Sequence, residues 1–364
     1  MQKYTPYILT VLGIILLAFF VWFFSSIVIY LLIGAVIALI GMPIVRWLSK
    51  VKIKNYDLPD SVKAIITLLV IYGVLFTLFV SFIPVILTQT RNIESIDKDA
   101  VRESLKEPIA ELEAMNRTYR FTDGSESVED YFQEKVLSTI SSVQFSTIVN
   151  DVLGFTGNLF IALFAISFIA FFFLKERNLM YDILLSFIPK DYHEKINVVL
   201  EKVKLLLSRY CIGLVLEVLL VGGLIGAGLA LVGVDNALAI GIFAGLFNVI
   251  PYLGPVIGAI LGISLAILSS LQLDFYSQMV PLVLKVGVVF LVVQLIDNFV
   301  FQPLIYSSSV KAHPLEIFLV ILMASSIAGV PGMILAIPTY TILRVVAKEF
   351  FNQFTIVQNI TKDI

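Results

Sequence analysis

We single out four ionisable side chains that lie within otherwise apolar stretches of this 364-residue chain. Glu217, Lys285 and Asp297 interrupt long aliphatic runs, and Glu316 opens another. An Asp or Lys at the centre of a membrane helix costs about 2.5 to 3.5 kcal/mol, so each such group needs a reason. Asp297 would either bind a proton or cation or be held by backbone amides, and Glu217 could form a neutralising ion pair with Lys285. We predict that Asp297, Glu217 and Glu316 are the candidates for ion or proton coupling.

Side-chain amides accompany Asp297 in the sequence. Gln294, Asn298 and Gln302 are four residues apart and so share one helix face, which Asp297 adjoins. A polar face of this kind is unfavourable toward lipid, so we expect it to point into a helix bundle or a cavity. Asn248 supplies another amide just before a proline-rich turn, where it could bind backbone groups.

Two apolar segments in the last third of the chain are broken by proline and glycine. The first has arms 238–249 and 256–271 around Ile-Pro-Tyr-Leu-Gly-Pro, and the second has arms 315–328 and 333–346 around Gly-Val-Pro-Gly. As a helix, the first arm is roughly 18 Å long at ~1.5 Å per residue, whereas the hydrocarbon core is about 30 Å thick. These segments predict two helical hairpins; four short or tilted spans with proline kinks are the alternative.

The hairpin tips are expected to border a transport pathway. Proline removes a backbone donor and glycine permits tight turns, so both tips expose polar backbone groups. At membrane depth such groups require protein or water beside them, and paired broken segments point to a transport site. We predict that the pathway is lined by Asn248, Pro251, Gly254, Pro255, Gln294, Asn298, Gln302, Pro331 and Gly332.

His313 precedes the second hairpin. Its imidazole could act in gating or as a pH sensor, because histidine titrates near physiological pH. The alternative is an interfacial histidine that hydrogen-bonds a loop.

Composition excludes several classes of protein. The chain is 59% hydrophobic and 14% charged, with a mean hydropathy of +0.97, which is too apolar for a soluble domain. A net charge of −2 without a basic stretch argues against nucleic acid. One cysteine and two distant histidines provide neither a disulfide nor a metal cluster. No phosphate-binding loop motif is present, which leaves a secondary transporter or a facilitated pathway. We expect no cofactor, and no enzymatic activity because His313 has no GxSx motif that would supply a serine nucleophile for intramembrane proteolysis.

The predicted fold is an all-α polytopic membrane protein. It has about six full spans and the two hairpins with Pro/Gly tips, about eight membrane segments in all, with amphipathic helices on both sides. Two of the spans are expected within 4–45, joined by a tight turn near Phe24. The predicted divisions are N-terminal membrane helices 1–88, an extracytoplasmic helical segment 89–151, a membrane helix 152–174, cytoplasmic amphipathic helices 175–209, a transport core 210–350 and a cytoplasmic tail 351–364.

Charge in the polar segments predicts the orientation. Residues 46–63 carry five Lys/Arg against two acids, which marks this short loop as cytoplasmic. Both termini then face the cytoplasm, and the acidic segment 89–151 lies outside. The two hairpins would enter from opposite sides, with their tips approaching each other.

Glycines repeat every four residues in the same region. The pairs are 222 and 226, and 241 and 245, and a triplet occupies 254, 258 and 262. Such stripes let helix backbones approach closely, so we expect tight helix packing here.

Several strings of this sequence resemble the autoinducer-2 exporter family, also called PerM-like permeases. They are FNVIPYLGP at 247–255, QxxDN at 294–298, QP at 302–303, HPL at 313–315, GxxG at 329–332, FFFLKER at 171–177 and YCIG at 210–213. Leu214 departs from the family, in which glutamine is common at that position. The resemblance covers nearly the whole chain.

The resemblance implies a transporter of the bacterial inner membrane that forms a homo-oligomer, with a pentamer as one candidate. Some members are described as exporters of autoinducer-2 and others as Na⁺(Li⁺)/H⁺ antiporters. Our leading hypothesis is ion- or proton-coupled export of a small polar solute such as autoinducer-2, and a Na⁺(Li⁺)/H⁺ antiporter is the alternative. A hypothesis of another class is a non-transporting oligomeric scaffold that recruits a partner through segment 89–151.

Overall fold

A computed structural model describes most of the chain outside the acidic segment. The described residues are 16, 19–20, 22–50, 52–53, 56–94, 110, 156–176, 178–270, 275–306 and 312–362. Most of the first predicted span and the predicted helices of segment 89–151 lie outside these residues. The chain divides into two compact units, the first formed by 1–72, 157–213 and 306–364 and the second by 73–156 and 214–305.

The described residues are predominantly helical. The helices are α1 (Ser25–Leu48), α2 (Asp60–Glu94), α3 (Thr156–Lys175), α4 (Leu179–Phe187), α5 (His193–Val232), α6 (Ala237–Phe247), α7 (Leu253–Ser270), α8 (Val280–Ile296), α9 (Gln302–Tyr306), α10 (Pro314–Phe351) and α11 (Thr355–Ile360). A 3₁₀ turn occupies Lys190–Tyr192, and π-helical turns occupy Phe275–Met279 and Asp297–Phe301. Two short antiparallel strands, β1 (Lys52–Ile53) and β2 (Tyr56–Asp57), pair between α1 and α2.

Several of these helices are long and apolar enough to cross a membrane. The candidate spans are Ser25–Leu48, Asp60–Ser81, Lys190–Val232, Tyr276–Leu304 and Pro314–Phe351, accompanied by shorter apolar helices at Phe160–Lys175, Ala237–Phe247 and Leu253–Ile267. This confirms the predicted fold class, an all-α polytopic membrane protein.

Two helix boundaries differ from the sequence prediction. Helical hydrogen bonds run through position 24, from Phe24 N to Phe20 O at 2.9 Å and from Val28 N to Phe24 O at 3.0 Å. Helical hydrogen bonding therefore continues through Phe24, whose backbone angles are φ −99° and ψ 27°. No tight turn forms there, because no glycine or proline is present to reverse the chain. Likewise α5 runs unbroken through the predicted boundary at 209 and 210, since no helix breaker separates its amphipathic and apolar parts.

Three helices of the first unit pack through small residues. Ala38, Ala64 and Ala170 are among the buried residues that join α1, α2 and α3. A Cβ on Gly34 would lie 2.7 Å from the Ile169 side chain, so glycine is what permits this approach.

The second hairpin is formed within α10. Ala328 and Gly329 have non-helical backbone angles, and Gly329 adopts φ 57° and ψ −137°, a region that only glycine occupies readily. The Tyr340 hydroxyl donates a hydrogen bond to Glu316 Oε2 at 2.9 Å across 24 residues of sequence. A straight helix would hold residues this far apart in sequence roughly 36 Å apart. The chain therefore folds back at residue 328, as the sequence predicted.

The tip of this hairpin is shorter than the Gly-Val-Pro-Gly string suggests. Val330 and Pro331 already belong to the second arm, where proline is well tolerated because the first helical N–H groups lack internal partners. Gly332 is buried, and a Cβ there would lie 2.0 Å from the Ala324 carbonyl oxygen. Gly332 thus allows the two arms to touch near their junction.

We predict measurable energetic coupling between the two arms. Tyr340→Phe and Glu316→Ala should each destabilise the protein by about 1 kcal/mol, because each removes one partner of the same hydrogen bond. A double-mutant cycle followed by thermal unfolding in detergent should give a coupling energy of about 0.5 to 1 kcal/mol. Additive effects would mean that the arms do not meet at these residues.

Residues 360 and 361 are attached to the second arm through two cations, of which Arg344 is buried and Lys348 is half-buried. Arg344 is 4% exposed, and its Nε donates to the Ile360 carbonyl at 3.0 Å, with its Nη2 donating to the same oxygen. Lys348 Nζ donates to the Thr361 carbonyl at 3.3 Å. These carbonyls end α11, where cations are favourable because the last carbonyls lack helical partners.

The second unit is built around close contacts of α5 with α6. A Cβ on Gly241 would lie 2.3 Å from Gly226 N and 2.5 Å from Gly222 O, and one on Gly245 would lie 2.5 Å from Val218 O. The predicted glycine stripes therefore do mark backbone-to-backbone packing. Buried residues of α5, α6, α7 and α8, together with Val234 from the loop between α5 and α6, complete the core, namely Val221, Ile225, Leu229, Val234, Ala237, Ile240, Ala244, Ala266, Val286, Phe290 and Val293.

Candidate functional site

Three elements of the second unit bring polar side chains together. Glu217 lies on α5, Asn248 follows the last residue of α6, and Asp297 opens the π-helical turn after α8. All three are buried, with 2%, 3% and 0% of their surface exposed. The cluster therefore lies away from the surface of the unit, where ionised groups require specific partners.

Asn248 connects the two acidic side chains. Its Nδ2 donates to Glu217 Oε1 at 3.2 Å and to Asp297 Oδ2 at 3.4 Å. Asp297 Oδ2 accepts a second, shorter bond from Gln302 Nε2 at 2.9 Å. Asp297 is therefore held by side-chain amides and not by the hairpin backbone, which was the structural alternative for this residue.

The two carboxyl groups are neighbours across one amide nitrogen. Asn248 Nδ2 lies 3.2 Å from Glu217 Oε1 and 3.4 Å from Asp297 Oδ2. Ionised carboxylates only accept hydrogen bonds, so a bond between two carboxyl groups requires one proton. Two negative charges at ~4 Å repel by about 4 kcal/mol at an effective dielectric constant of about 20. This geometry favours one shared proton, or a cation in its place.

One oxygen of the cluster has an unused bonding position. Asp297 Oδ1 is buried and accepts no hydrogen bond from the described residues. Buried polar atoms are nearly always bonded, so an exception in a carboxylate calls for a functional explanation. Asp297 Oδ1 is available to a proton or a cation without breaking an existing bond.

The π-helical turn determines how the amides reach Asp297. In this turn hydrogen bonds join residues five apart, and such turns are frequent at functional sites. The contact between Asp297 and Gln302 has this spacing of five. Asp297 is fully buried, whereas its neighbour Asn298 is exposed.

The predicted amide face is present and internally bonded. Gln294 Nε2 donates to Asn298 Oδ1 at 2.9 Å, and Gln302 Nε2 reaches the same oxygen at 3.3 Å. Gln302 therefore links this amide ladder to Asp297. The burial of the face is uneven, because Gln294 and Gln302 are half-buried while Asn298 is exposed.

The first hairpin tip satisfies its own backbone. Gly254 N donates to Ile250 O at 2.8 Å, Leu253 N donates to Pro251 O at 2.8 Å, and Ile250 N donates to Phe247 O at 2.9 Å. The expectation that Asn248 would bind tip backbone groups was wrong, because both of its donated bonds go to carboxylates. The tip thus positions Asn248 for the carboxyl pair.

A cavity of about 420 Å³ adjoins the cluster within the second unit. Asn248 and Gln294 provide its polar lining, and Pro255 of the first tip also contributes. The remaining lining residues are apolar or glycine, namely Val221, Ile225, Ala244, Val256, Gly258, Ala259, Ile260, Ile263, Gly287, Phe290, Leu291 and Leu295. Its volume lies within the range of small-molecule sites.

Other predicted site residues belong to the first unit, each with a local role. Glu316 bonds Tyr340, and Pro331 and Gly332 lie at the second tip. His313 Nδ1 accepts a bond from Leu315 N at 3.2 Å, which caps α10. The imidazole of His313 thus bonds the first turn of its own helix, and its role in gating or pH sensing stays a prediction.

Three other residues named by the sequence analysis, Pro251, Gly254 and Lys285, also lie in the second unit. Gly254 lies at the turn into α7, and Pro251 lies in the first tip beside the cavity residue Pro255. Lys285 is exposed and makes no salt bridge within the described part of the chain. The proposed ion pair of Glu217 with Lys285 is therefore not formed here.

Sequence reasoning missed two features. The π-helical turn at 297–301 contains no glycine or proline that would indicate it, and the spacing of its side chains is equally compatible with an ordinary α-helix. Arg344 is a buried cation in an apolar arm. A charged residue within an apolar stretch of sequence could have identified it as a buried, bonded group.

These features define a polytopic membrane transport protein with a buried carboxyl pair beside a cavity. The chain belongs to a family whose profile, described as AI-2E family transporter, matches residues 11–352. This confirms the family resemblance and supports, at a coarse level, a transporter and not an enzyme.

Curated relatives carry transport designations. The chain is 27% identical over 334 residues to “Putative transport protein YrrI” of Bacillus subtilis, covering 91% of this chain and 88% of that one. It is 25% identical over 331 residues to “Putative transport protein YueF” of the same organism, covering 89% and 84%.

Proposed function

We propose that this protein is a secondary transporter in which Glu217 and Asp297 form the ion- or proton-coupling pair. The observation that carries the proposal is a pair of buried carboxyl groups joined by the Asn248 amide, one of which has an oxygen without a partner among the described residues. Intramembrane acids that face a bundle interior are typical of proton and ion pathways.

The pair would work by exchanging a proton for another charge carrier. With one proton, the two carboxyls share a single negative charge and can bond each other. When the proton leaves, two adjacent buried anions remain, and this state is unfavourable unless a cation binds or the site opens to water. Protonation and the conformation of the site are therefore linked, which is the requirement for coupling transport to a gradient.

The family resemblance supports a proposal for the direction of transport and for the cargo. We propose export of a small polar solute, with autoinducer-2 as the first candidate. We also propose the bacterial inner membrane as its location, with both termini in the cytoplasm, segment 89–151 outside and assembly as a homo-oligomer. The positive loop at 46–63 supports this orientation.

A Na⁺(Li⁺)/H⁺ antiporter is the second candidate, and the composition of the site favours it specifically. Carboxyl oxygens of Glu217 and Asp297 lie 3.2 and 3.4 Å from the same amide nitrogen of Asn248, and oxygen ligands suit hard cations. A cation bound by the carboxyl oxygens would occupy the position of the shared proton. Protons and Na⁺ would then compete directly.

Proteoliposomes containing the full chain and an internal pH dye test both candidates. We expect a pH gradient to drive movement of added autoinducer-2, or added Na⁺ or Li⁺ to drive proton movement, in each case above protein-free liposomes. Absence of autoinducer-2 flux and of cation-driven proton flux would refute both candidates.

Gln302 should tune the affinity of the pair. Gln302→Leu removes the shorter of the two amide bonds to Asp297 and should stabilise the protonated form, since a bond to a charged group contributes about 1.5 to 3 kcal/mol. We expect the apparent proton affinity measured by flux against pH to rise on the order of tenfold. Asn298→Leu, which removes an amide not bonded to Asp297, should have a smaller effect. Equal effects of the two substitutions would contradict this role.

A further inference from the structure

The cavity beside the carboxyl pair has a deep side and an open side. Val221, Ile225, Asn248 and Phe290 are each less than 10% exposed, whereas Val256, Ile260, Leu291 and Leu295 are 55%, 59%, 61% and 47% exposed. The exposed residues come from α7 and α8, four apart on each helix. The mouth thus lies between α7 and α8.

This mouth faces an apolar environment. Its α8 residues fall within a candidate membrane span, Tyr276–Leu304. Exposed aliphatic side chains at membrane depth contact lipid chains, and a ligand entering between them would come from the bilayer. A strongly hydrated solute would instead lose its water shell at this mouth.

The polar groups in the cavity are hydrogen-bond acceptors. Asn248 Nδ2 is occupied by Glu217 and Asp297, and Gln294 Nε2 is occupied by Asn298. No bond to Asn248 Oδ1 or Gln294 Oε1 occurs among the described residues. The lining therefore offers two carbonyl oxygens and otherwise apolar walls, an arrangement suited to a ligand with one or two donors at one end.

Energetics disfavour a ligand rich in hydroxyls. Each buried hydroxyl without a partner costs about 1 to 3 kcal/mol. The two carbonyl oxygens of the cavity can bond the donors at one end of a ligand. A polyol would therefore leave several of its hydroxyl groups without hydrogen bonds. An apolar body, by contrast, gains about 25 cal/mol for each Å² removed from water.

We propose that this cavity binds an uncharged amphipathic molecule, with an apolar body and a hydroxyl or similar donor at one end, that enters from the membrane between α7 and α8. The inference rests on the proposed transport function and specifies the class of cargo. It names a cargo of a different class from autoinducer-2 and therefore competes with that candidate, whereas the coupling role proposed for Glu217 and Asp297 is unchanged.

Photolabelling of the full chain in lipid nanodiscs tests the proposal. The probe is a diazirine derivative of octanol, and adducts are mapped by mass spectrometry. Adducts are expected on the peptides of α7 and α8 that line the cavity. Unlabelled octanol should reduce these adducts at least tenfold, whereas octyl methyl ether, which lacks the donor, and xylitol, which lacks the apolar body, should not.

A glycine pair provides matched variants. Gly287 lines the cavity and Gly223 does not, yet a Cβ at either position meets nothing within 4 Å. Gly287→Leu should therefore fill the cavity without disturbing packing and remove most of the adducts. Gly223→Leu should leave them unchanged.

Several outcomes would overturn the inference. Adducts spread over all exposed apolar faces and insensitive to Gly287→Leu would show only partition into lipid. Competition by xylitol would indicate a polar ligand, and equal competition by the methyl ether would exclude the donor contact. Because labelling needs no gradient, loss of labelling with intact flux overturns only the cargo class. Intact labelling without flux overturns only the transport proposal.

Discussion

Replacing Asp297 by asparagine should abolish ion-coupled flux while leaving the protein folded. Asparagine keeps the size of the side chain but can neither carry the negative charge nor exchange the proton. A unit charge at ~4 Å contributes about 4 kcal/mol to cation binding at an effective dielectric constant of about 20, so its loss corresponds to at least ~100-fold in an ion-binding constant. Initial rates of dye-reported proton flux in proteoliposomes measure this effect.

Asp235→Asn is the matched control for this experiment. Asp235 is exposed in the loop between α5 and α6 of the same unit, so the same chemical change should leave the flux near the wild-type rate. Glu217→Gln should resemble Asp297→Asn, because both change the same pair. Wild-type flux in Asp297→Asn protein would remove this residue from the coupling mechanism.

Gly254→Ala should have the largest structural effect in the second unit. An alanine Cβ would lie 1.9 Å from the Phe247 carbonyl oxygen and 2.9 Å from the Asn248 Cα, so the tip must open. We expect a loss of about 3 kcal/mol in stability, at the upper end of overpacking effects. Flux should also fall, because displacing Asn248 moves its amide donor away from the carboxyl groups of Glu217 and Asp297.

Thermal unfolding in detergent and flux in proteoliposomes measure both effects of Gly254→Ala. Gly223→Ala is the control, since its Cβ meets nothing within 4 Å and alanine favours helix by up to about 1 kcal/mol. We expect a melting temperature equal to or above that of the wild type. A Gly254→Ala protein as stable and active as this control would show that the tip geometry is not required.

The sequence was sufficient for the membrane class and for both hairpins. Hydropathy and length identify spans because the bilayer sets the length of a helix. Pro251, Gly254 and Gly329 mark hairpin turns because each changes which backbone angles are accessible. The acids and amides inside apolar runs also identified Glu217, Asn248, Asp297 and Gln302, which the structure brings together.

The partners within the site could not be read from spacing. Ordinary helical periodicity places Gln302 five residues from Asp297 and off its face, and only the π-helical turn permits their bond. The role of Asn248 was also misassigned, because whether an amide binds backbone or carboxylate depends on tertiary packing of α5, α6 and α8. For the same reason the bond between Tyr340 and Glu316 has no signature in the sequence.

Infrared difference spectroscopy of the purified protein tests the central claim most directly, namely that Glu217 and Asp297 share an exchangeable proton. The C=O stretching band of a protonated carboxylic acid is followed as pH is raised or Na⁺ is added. We predict that such a band disappears reversibly in the wild type and in Asp235→Asn, and is absent or shifted in Asp297→Asn and Glu217→Gln. A band that persists unchanged in Asp297→Asn would contradict the account.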